Sequence, residues 1–319
     1  MNVAVTGASG FIGRRLVDAL NQQGHAIRIL TRRAECPFPA EISVVGDLTL
    51  ADCPCRKLVA GCDVVFHCAG ELRNRSAMRL LHVDGTRRLL QAARREADER
   101  ARPIHWVQLS SVGAYGPPEG KRQRERVVTE ETLTRPSGEY EVTKTQSDEM
   151  VMQASTPGVI SCSIVRPSNV MAADMPNGSL RSLGAVIRKG QFFYIGCHGA
   201  VATYVHVDDV VTVLRLCGSD DRAKGQIFNV SNDCLLEELV GQIARCMGVR
   251  RPWLRLPEPL VRMVAGCADR VMRSPLTQSR IDALVARTRY PHVKLERVLG
   301  FRPQISVPDA IGETLRECF

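Results

Sequence analysis

A tyrosine and a lysine four residues apart supply the groups needed for acid–base chemistry. Tyr140 and Lys144 share one face of a helix predicted over Gly138–Ala154, because residues four apart are neighbours on a helix. An ammonium lowers the pKa of a nearby phenol, so proton exchange near neutral pH becomes feasible. Ser111, which follows a predicted strand, could hold the reacting oxygen beside Tyr140, with Ser110 as the alternative. The spacing therefore predicts a site that moves a proton at a substrate oxygen.

Three glycines near the N-terminus form the second pattern with chemical meaning. The stretch Gly7-Ala8-Ser9-Gly10-Phe11-Ile12-Gly13 lies between a predicted strand, Asn2–Thr6, and a predicted helix, Phe11–Gln23. In such a turn, Gly7 permits the tight bend, Gly10 lets a pyrophosphate approach the backbone, and Gly13 allows close packing of helix on strand. The free N–H groups of the helix N-terminus then face the phosphates. The pattern predicts a dinucleotide site; the alternative is a glycine-rich turn without a ligand.

The end of the second predicted strand indicates which dinucleotide is bound. Sites that select NAD usually carry Asp or Glu there, to bind the ribose 2′-hydroxyl. Thr31 occupies that place, and the first acid downstream is Glu35. Arg32, with Arg33 beside it, could pair with a 2′-phosphate instead. The pattern favours NADP(H); NAD(H) stays open, as does the interpretation that both arginines are simply solvated.

The elements that must position these residues alternate between strand and helix. Near-continuous apolar strands separated by helices are typical of a parallel sheet covered on both faces, and short crossovers make it doubly wound. Ligands of such α/β sheets bind beyond the carboxyl ends of the strands, where the polar residues above lie. The predicted strands are Asn2–Thr6, Ala26–Leu30, Ile42–Val45, Asp63–His67, Ile104–Leu109 and Val159–Val165, and the long predicted helices are Phe11–Gln23, Arg75–Arg100 and Gly138–Ala154.

The second half of the chain predicts a smaller lobe. We expect a Rossmann domain over 1–166, to which 202–232 return, and a substrate-binding lobe formed by 167–201 and 233–319. Strands are expected at Phe192–Ile195 and Thr203–Val207. A helix-like stretch, Leu260–Arg273, carries an apolar stripe that we interpret as packing within the lobe. An apolar lid or a membrane-surface contact is the alternative for this stretch.

Composition narrows the class of protein further. The chain has 319 residues, of which 44% are hydrophobic and 24% charged, as in ordinary globular proteins, and it has no apolar run of about 18 residues that would span a membrane. Twelve cysteines lack the spacing of zinc ligands, so we expect reduced thiols and no metal site. The net charge of +9 is dispersed, with local clusters such as Lys121 to Arg126, and does not predict nucleic-acid binding. No signal peptide is recognisable, so a cytoplasmic location is the default expectation.

Taken in order, these motifs resemble those of the extended short-chain dehydrogenase/reductase superfamily, in its NAD-dependent epimerase/dehydratase branch. The resemblance spans nearly the whole chain. It rests on Gly7–Gly13, Asp47-Leu48, His67-Cys68-Ala69-Gly70, Ser110 to Gly116, Tyr140 to Lys144, Arg166 to Val170, Tyr204 to Val210 and Phe228 to Ser231.

The resemblance implies a role for each matching residue. Ser111, Tyr140 and Lys144 would be catalytic, with Tyr140 as the acid/base and Lys144 also holding the ribose hydroxyls. The stretch Tyr204–Val210 would be structural, with His206 a satisfied core histidine. Residues implied to contact the dinucleotide are Gly7, Ser9, Gly10, Phe11, Ile12, Gly13, Arg32, Arg33, Asp47, Leu48, Cys68, Ala69, Gly70, Tyr140, Lys144, Pro167, Asn169 and Val170.

Departures from the family pattern bear on the substrate. The family's Asn-Val-x-Gly-Thr stands here as His82-Val83-Asp84-Gly85-Thr86, which leaves the local hydrogen-bond network open. Many members that bind nucleotide sugars carry an arginine shortly before the Tyr204 motif, and residues 199–203 contain none. An Asp-Glu pair after the catalytic hydroxyl, typical of dehydratases, is also missing after Ser111.

Three functions follow from the resemblance and its departures. The first is an NAD(P)-dependent oxidoreductase or epimerase that acts on a hydroxyl or keto group of a nucleotide sugar. The second keeps this chemistry on an apolar, sterol- or flavonol-like hydroxyl or ketone, and the missing arginine motivates it. The third is a dinucleotide-binding regulator without turnover. The resemblance also implies a homodimer that pairs through the helices predicted at Arg75–Arg100 and Gly138–Ala154.

Overall fold

A computed structural model describes residues 1–33, 35, 37–39, 42–118, 124–175, 178–271 and 276–316. The basic stretch at Lys121 and the predicted helix end at Arg273 lie outside these residues. The strands are Asn2–Thr6 (β1), Ala26–Thr31 (β2), Ser43–Val45 (β3), Val64–His67 (β4), Ile104–Leu109 (β5), Arg126–Val127 (β6), Ile160–Pro167 (β7), Asn169–Met171 (β8), Tyr194–Ile195 (β9), Val201–Ala202 (β10), Tyr204–His206 (β11), Gln226–Val230 (β12), Cys234–Leu235 (β13), Arg255–Leu256 (β14) and Thr288–Arg289 (β15). The α-helices are Phe11–Gln22 (α1), Cys55–Val59 (α2), Arg75–Arg79 (α3), Thr86–Arg100 (α4), Glu139–Ala154 (α5), Ser179–Arg188 (α6), Val207–Ser219 (α7), Leu236–Cys246 (α8), Glu258–Val271 (α9), Gln278–Val285 (α10), Val293–Leu299 (α11) and Val307–Arg316 (α12).

Seven parallel strands form the central sheet, in the order β12-β7-β5-β4-β1-β2-β3. The strand order reverses between β1 and β4, so the crevice beyond their carboxyl ends is the expected ligand position. One face of the sheet packs against α1, α7 and α11, and the other against α2, α4 and α5. Both faces are therefore covered, which explains why the central strands are nearly continuous apolar runs. The predicted doubly wound α/β sheet is confirmed.

The smaller strands and helices have cores of their own. One apolar cluster joins Met171, Leu180 and Phe192 to α8 and α12, and a second joins Ile195 to α9 and α10. The predicted strands near 192 and 203 do not pair with each other: β9 pairs with β14, and β11 pairs with β8. The division of the chain into 1–166 with 202–232, and 167–201 with 233–319, is kept as a proposal.

Helix α9 is only partly buried against this lobe. Val261 and Ala265 pack into the cluster with Ile195, as the lobe-packing interpretation requires. Met263 and Val264 point away from this cluster and are 61% and 57% accessible. Within the described residues, no helix is both long and apolar enough to cross a lipid bilayer.

The long helix predicted over Arg75–Arg100 is interrupted. Residues Leu80–Gly85 form a π-helical turn between α3 and α4. A β-carbon at Gly85 would lie 2.9 Å from the Leu48 carbonyl oxygen, so the backbones at Gly85 and Leu48 are in direct contact. A widened turn of this type often marks a functional site, and periodicity alone does not reveal it. His82 lies in this turn.

Buried histidines make the fold sensitive to acid. Burial, the main cause, lowers the pKa of His105 to about 4; its ring contacts the Ser161 hydroxyl and the Cys217 carbonyl oxygen. In the unfolded chain the pKa is about 6.5, so the stabilisation is complete above that pH and is lost as the pH falls towards the folded value. We expect His105 to account for about 2 kcal/mol of lost stability between about pH 7.5 and about pH 5.

The His105→Gln variant tests this expectation. Urea denaturation at both pH values gives the change in the free energy of unfolding for each protein. The change should be about 2 kcal/mol smaller in the variant than in the wild type, because glutamine does not titrate. Equal changes in the two proteins would contradict the assignment.

Candidate functional site

The glycine-rich turn between β1 and α1 has the geometry that the sequence predicts. Gly7 has a φ of +68°, and a β-carbon there would lie 2.7 Å from backbone atoms of Cys68 and Ala69. The Gly10 amide donates to the Gly7 carbonyl at 2.9 Å, and a β-carbon at Gly13 would collide with that same carbonyl. Larger residues would therefore push β1, α1 and the end of β4 apart.

The start of α1 is accessible. Ser9 and Gly10 are exposed, and Phe11 and Ile12 are half-buried in the first turn. Gly10 stands at the N-cap and no side chain caps the helix. The first amides of α1 are thus available to an anion, which matches the predicted pyrophosphate position.

The residues predicted to surround the adenosine end lie after β2 and β3. The Thr31 hydroxyl donates to the Arg33 carbonyl at 3.0 Å, and Arg32 and Arg33 are both exposed. The Asp47 carboxylate accepts from the amide and the hydroxyl of Thr49, at 2.8 Å and 2.9 Å. Leu48 is buried, and its carbonyl oxygen accepts from Arg88.

The end of β4 lies beside the glycine-rich turn. The Ala69 amide donates to the Thr6 hydroxyl at 3.3 Å, which joins β4 to β1 at their carboxyl ends. Cys68 and Ala69 are half-buried and Gly70 is exposed. Burial raises the pKa of the Cys68 thiol to about 12, so this sulfur is neutral at physiological pH.

Helix α5 carries its two predicted catalytic residues to the same edge of the sheet. The Lys144 ammonium is buried and donates to the Leu109 carbonyl at the end of β5, with an Nζ–O distance of 2.5 Å. Tyr140 is one turn earlier on the same face, and its ring meets the His82 ring edge-on with centroids 5.5 Å apart. Tyrosine and lysine therefore lie beyond β5 and β4, next to the predicted dinucleotide crevice.

The structure corrects the expected ionisation of Tyr140. Burial, followed by the carboxylates of Glu141 and Asp148, raises the pKa of the phenol to about 12, above its usual value near 10. The expectation based on spacing considered only the ammonium of Lys144. It did not include the loss of hydration that burial of the Tyr140 phenol causes. Burial likewise lowers the pKa of Lys144. The phenol is therefore protonated at neutral pH, which is the form that donates a proton.

The two serines after β5 have different partners. The Ser110 hydroxyl donates to the buried Asp148 carboxylate at 2.6 Å, so this proton is not available for a hydrogen bond to a substrate. The Ser111 hydroxyl accepts from the Gly113 amide at 3.1 Å and keeps its own proton for another acceptor. A β-carbon at Gly113 would lie 2.7 Å from Cγ of Glu141, so the turn that follows Ser111 packs on the first turn of α5. This arrangement favours Ser111 over Ser110.

The segment after β7 supplies the remaining predicted contacts. Pro167 is buried as the last residue of β7, Val170 is half-buried in β8, and Asn169 is exposed and donates to the Thr203 carbonyl at 3.0 Å. His206 lies at the N-cap of α7, where its Nδ1 accepts from the Asp208 amide at 3.3 Å. We expected a structural role for His206. Its hydrogen bond at the N-terminus of α7 agrees with such a role.

Two features of the site were not found from the sequence. Asp148 follows Lys144 by one helical turn, is fully buried, and accepts from Arg166 at 3.1 Å and 3.2 Å. The spacing Tyr140-Lys144-Asp148 was a usable signal, because all three share a helix face. His82 bridges the loop after β4 and α5, and no spacing in the sequence could have revealed this.

Comparisons with known proteins agree with this geometry. Residues 3–231 match the NAD dependent epimerase/dehydratase family. A 3-beta-hydroxysteroid dehydrogenase of Mycolicibacterium neoaurum is 33% identical over 98% of this chain and 90% of its own, and a UDP-glucose 4-epimerase of Mycolicibacterium smegmatis is 27% identical over 99% and 97%. The solved structure of MoeE5 in complex with UDP-glucuronic acid and NAD has a TM-score of 0.73 at 22% identity, covers 99% and 98% of the two chains, and shares the fold. The chain therefore belongs to the NAD-dependent epimerase/dehydratase family and is an oxidoreductase that uses a nicotinamide dinucleotide.

Proposed function

We propose that this enzyme interconverts a secondary alcohol and a ketone on an apolar, steroid-like molecule. The reaction is supported by one observation above all: Lys144 anchors α5 to the end of β5, and Tyr140 lies one helical turn away, at the same edge of the sheet. When bound there, the nicotinamide ring supplies or accepts the hydride. In the reductive direction, the ketone takes up a hydride on carbon and a proton on oxygen and becomes the carbinol.

The residues of this chain handle the proton and the position of the oxygen. Tyr140, held protonated by its raised pKa, donates to the ketone oxygen in the reductive direction. The Ser111 hydroxyl donates to the same oxygen and fixes its distance from the phenol. Lys144 favours the phenolate that forms as the proton leaves, and it is also proposed to hold the ribose hydroxyls. In the oxidative direction the same groups act in reverse.

The apolar substrate class is supported by the segment before Tyr204. The place at which nucleotide-sugar members carry an arginine holds Ala200, Val201 and Ala202, all buried at 4–7% exposure. Without an arginine at this place, a diphosphate would lose one of its counter-charges. The relative with 33% identity is named for a steroid substrate, which points the same way.

A nucleotide sugar is the second candidate substrate. It is supported by the identity to a UDP-glucose 4-epimerase, which extends over 99% of this chain. In that case the ketone would rotate before the hydride returns, and epimerisation would be the outcome. The regulator without turnover is no longer a candidate, because the family match is joined by relatives that are named as a dehydrogenase and as epimerases.

For the dinucleotide, we propose a preference for NADP(H) over NAD(H). The proposal rests on Thr31 at the end of β2, where NAD-selective sites carry an acid, and on the exposed Arg32 and Arg33 that follow. The further dinucleotide contacts are proposed at Asp47, Leu48, Cys68, Ala69, Gly70, Pro167, Asn169 and Val170. A homodimer through Arg75–Arg100, which comprises α3, the π-helical turn and α4, and through Gly138–Ala154, which comprises α5, is proposed on the family resemblance alone.

A ligand panel tests the cofactor and the substrate together. In a thermal-shift assay at equal concentrations, NADP(H) should raise the Tm more than NAD(H), because a ligand that binds only the native state stabilises it. With the preferred dinucleotide, a 3β-hydroxysteroid should give a change in nicotinamide absorbance, and UDP-glucose should give neither absorbance change nor epimer. Turnover of UDP-glucose alone would contradict the apolar proposal and support the second candidate.

A further inference from the structure

His82 occupies a position from which one side chain reaches two parts of the site. It lies in the π-helical turn Leu80–Gly85 and is 1% exposed. Its Nε2 lies 2.9 Å from the Glu71 amide nitrogen, and its Nδ1 lies 2.8 Å from the Thr143 hydroxyl. The first contact is in the loop after β4, and the second is in α5.

The partners of His82 define its tautomer. A backbone amide can only donate, so Nε2 accepts from Glu71 and carries no proton. The Thr143 hydroxyl donates to the Glu139 carbonyl at 2.8 Å, so it accepts from His82 and Nδ1 carries the proton. Burial, with Lys144 next, lowers the pKa of His82 to about 3, which keeps the ring neutral. Only the neutral ring can accept at one nitrogen and donate at the other.

Both partners are themselves fixed. The Glu71 carboxylate accepts from the amides of Arg73 and Asn74 at 2.8 Å and 3.0 Å, so the loop is held at the start of α3. Thr143 is buried and lies between Tyr140 and Lys144 in α5. The bridge therefore joins a backbone loop that borders the proposed dinucleotide site to the turn of helix that presents the phenol.

We propose that His82 is a positioning residue that fixes the loop Ala69–Glu71 and the catalytic turn of α5 relative to each other. An asparagine at this position has one amide group and is too short to make both contacts. The imidazole makes both directly, through nitrogens on opposite sides of the ring. The proposal rests on the proposed function for the role of Tyr140, whereas its dinucleotide part depends only on the loop.

Two substitutions separate the two contacts. In His82→Asn, the side-chain amide lies close to the position of Nδ1, so the hydrogen bond with Thr143 is retained and the one with Glu71 is lost. In His82→Gln, the longer side chain reaches the position of Nε2, so the hydrogen bond with Glu71 is retained and the one with Thr143 is lost. Since one hydrogen bond contributes about 1 kcal/mol, each loss should change the measured constant about fivefold to tenfold. His82→Asn should weaken dinucleotide binding by that factor with kcat retained. His82→Gln should retain the dinucleotide Kd and lower kcat.

Dinucleotide titration without substrate measures the Kd, so this part holds whether or not the steroid substrate is right. With a substrate from the ligand panel, kcat is measured on the same proteins. Thr143→Val should reproduce the kcat of His82→Gln, and Thr143→Ser should restore it. Thr145→Val is the matched control, since the buried Thr145 hydroxyl has no hydrogen-bond partner among the described residues and its loss should change neither constant.

The outcome that overturns the proposal is a lack of separation. If His82→Asn and His82→Gln raise the dinucleotide Kd equally, in proportion to their losses in Tm, then His82 merely supports the fold. A Kd loss confined to His82→Asn supports the proposal even where no substrate in the panel turns over. In that case the proposed function fails while the positioning of the loop stands.

Discussion

Tyr140→Phe is expected to lower kcat by about 10²- to 10⁴-fold, while the dinucleotide Kd should rise by no more than the about fivefold of one lost hydrogen bond. The change removes one oxygen and leaves the ring packed edge-on against His82. Because proton transfer occurs only in the transition state, kcat and kcat/KM should fall by the same factor. Steady-state kinetics with the active substrate from the ligand panel, together with dinucleotide titration, give these constants.

Tyr115→Phe is the matched control for this experiment. The Tyr115 side chain is also buried, and its hydroxyl donates to the Asn229 side chain at 2.8 Å. Its removal should lower the free energy of unfolding by about 1 kcal/mol and leave kcat unchanged. If the two variants lose activity equally, or if Tyr140→Phe keeps wild-type kcat, Tyr140 is not the acid/base.

The elements of the central sheet were predictable because their signals are local. The strand at Ile104–Leu109 has the same bounds in the sequence prediction and in the structure, since it is a buried apolar run between polar breaks. The glycine turn was predictable because Gly7 needs a positive φ and Gly13 meets a backbone carbonyl, and only glycine satisfies either condition. Tyr140 and Lys144 were predictable from their spacing in one helix.

The features that were missed depend on contacts between distant parts of the chain. The π-helical turn at Leu80–Gly85 brings Gly85 close to Leu48, about forty residues earlier, and no periodicity records such a contact. The partners of His82 are 11 and 61 residues away. The ionisation of Tyr140 was wrong for the same reason, because burial is a property of the folded chain. The two-residue strands of the lobe, such as β9 and β14, are too short to give a pattern.

Asp148 is the residue of α5 that we expect to contribute most to the stability of the fold. Its carboxylate is fully buried, accepts two bonds from the Arg166 guanidinium, which is 3% exposed, and accepts a third from Ser110. Asp148→Ala would leave that guanidinium buried without a counter-charge. We expect the free energy of unfolding to fall by about 3–5 kcal/mol, a large part of the about 5–15 kcal/mol of a typical domain.

A second variant keeps the test informative if Asp148→Ala does not fold. Asp148→Asn retains an oxygen that accepts from Arg166, so it should be less destabilised and should remain folded at room temperature. Because Asp148 raises the pKa of Lys144 against the effect of burial, its neutral replacement should also shift the pH profile of kcat. The control is Asp220→Ala, which breaks the exposed pair of Asp220 with Arg222 and should lower stability far less, since water screens that pair.

The double variant Asp148→Ala with Arg166→Met decides whether the loss comes from the stranded charge. Removing both side chains leaves no guanidinium stranded without a counter-charge, so part of the stability lost in Asp148→Ala should return. Urea denaturation of the four proteins gives the coupling between the two positions. Additive losses at 148 and 166, or a loss in Asp148→Ala no larger than in Asp220→Ala, would show that this ion pair does not stabilise the fold. Asp148 would then have no part in holding α5, which would be stabilised by its apolar contacts and by the hydrogen bonds of Thr143 and Lys144.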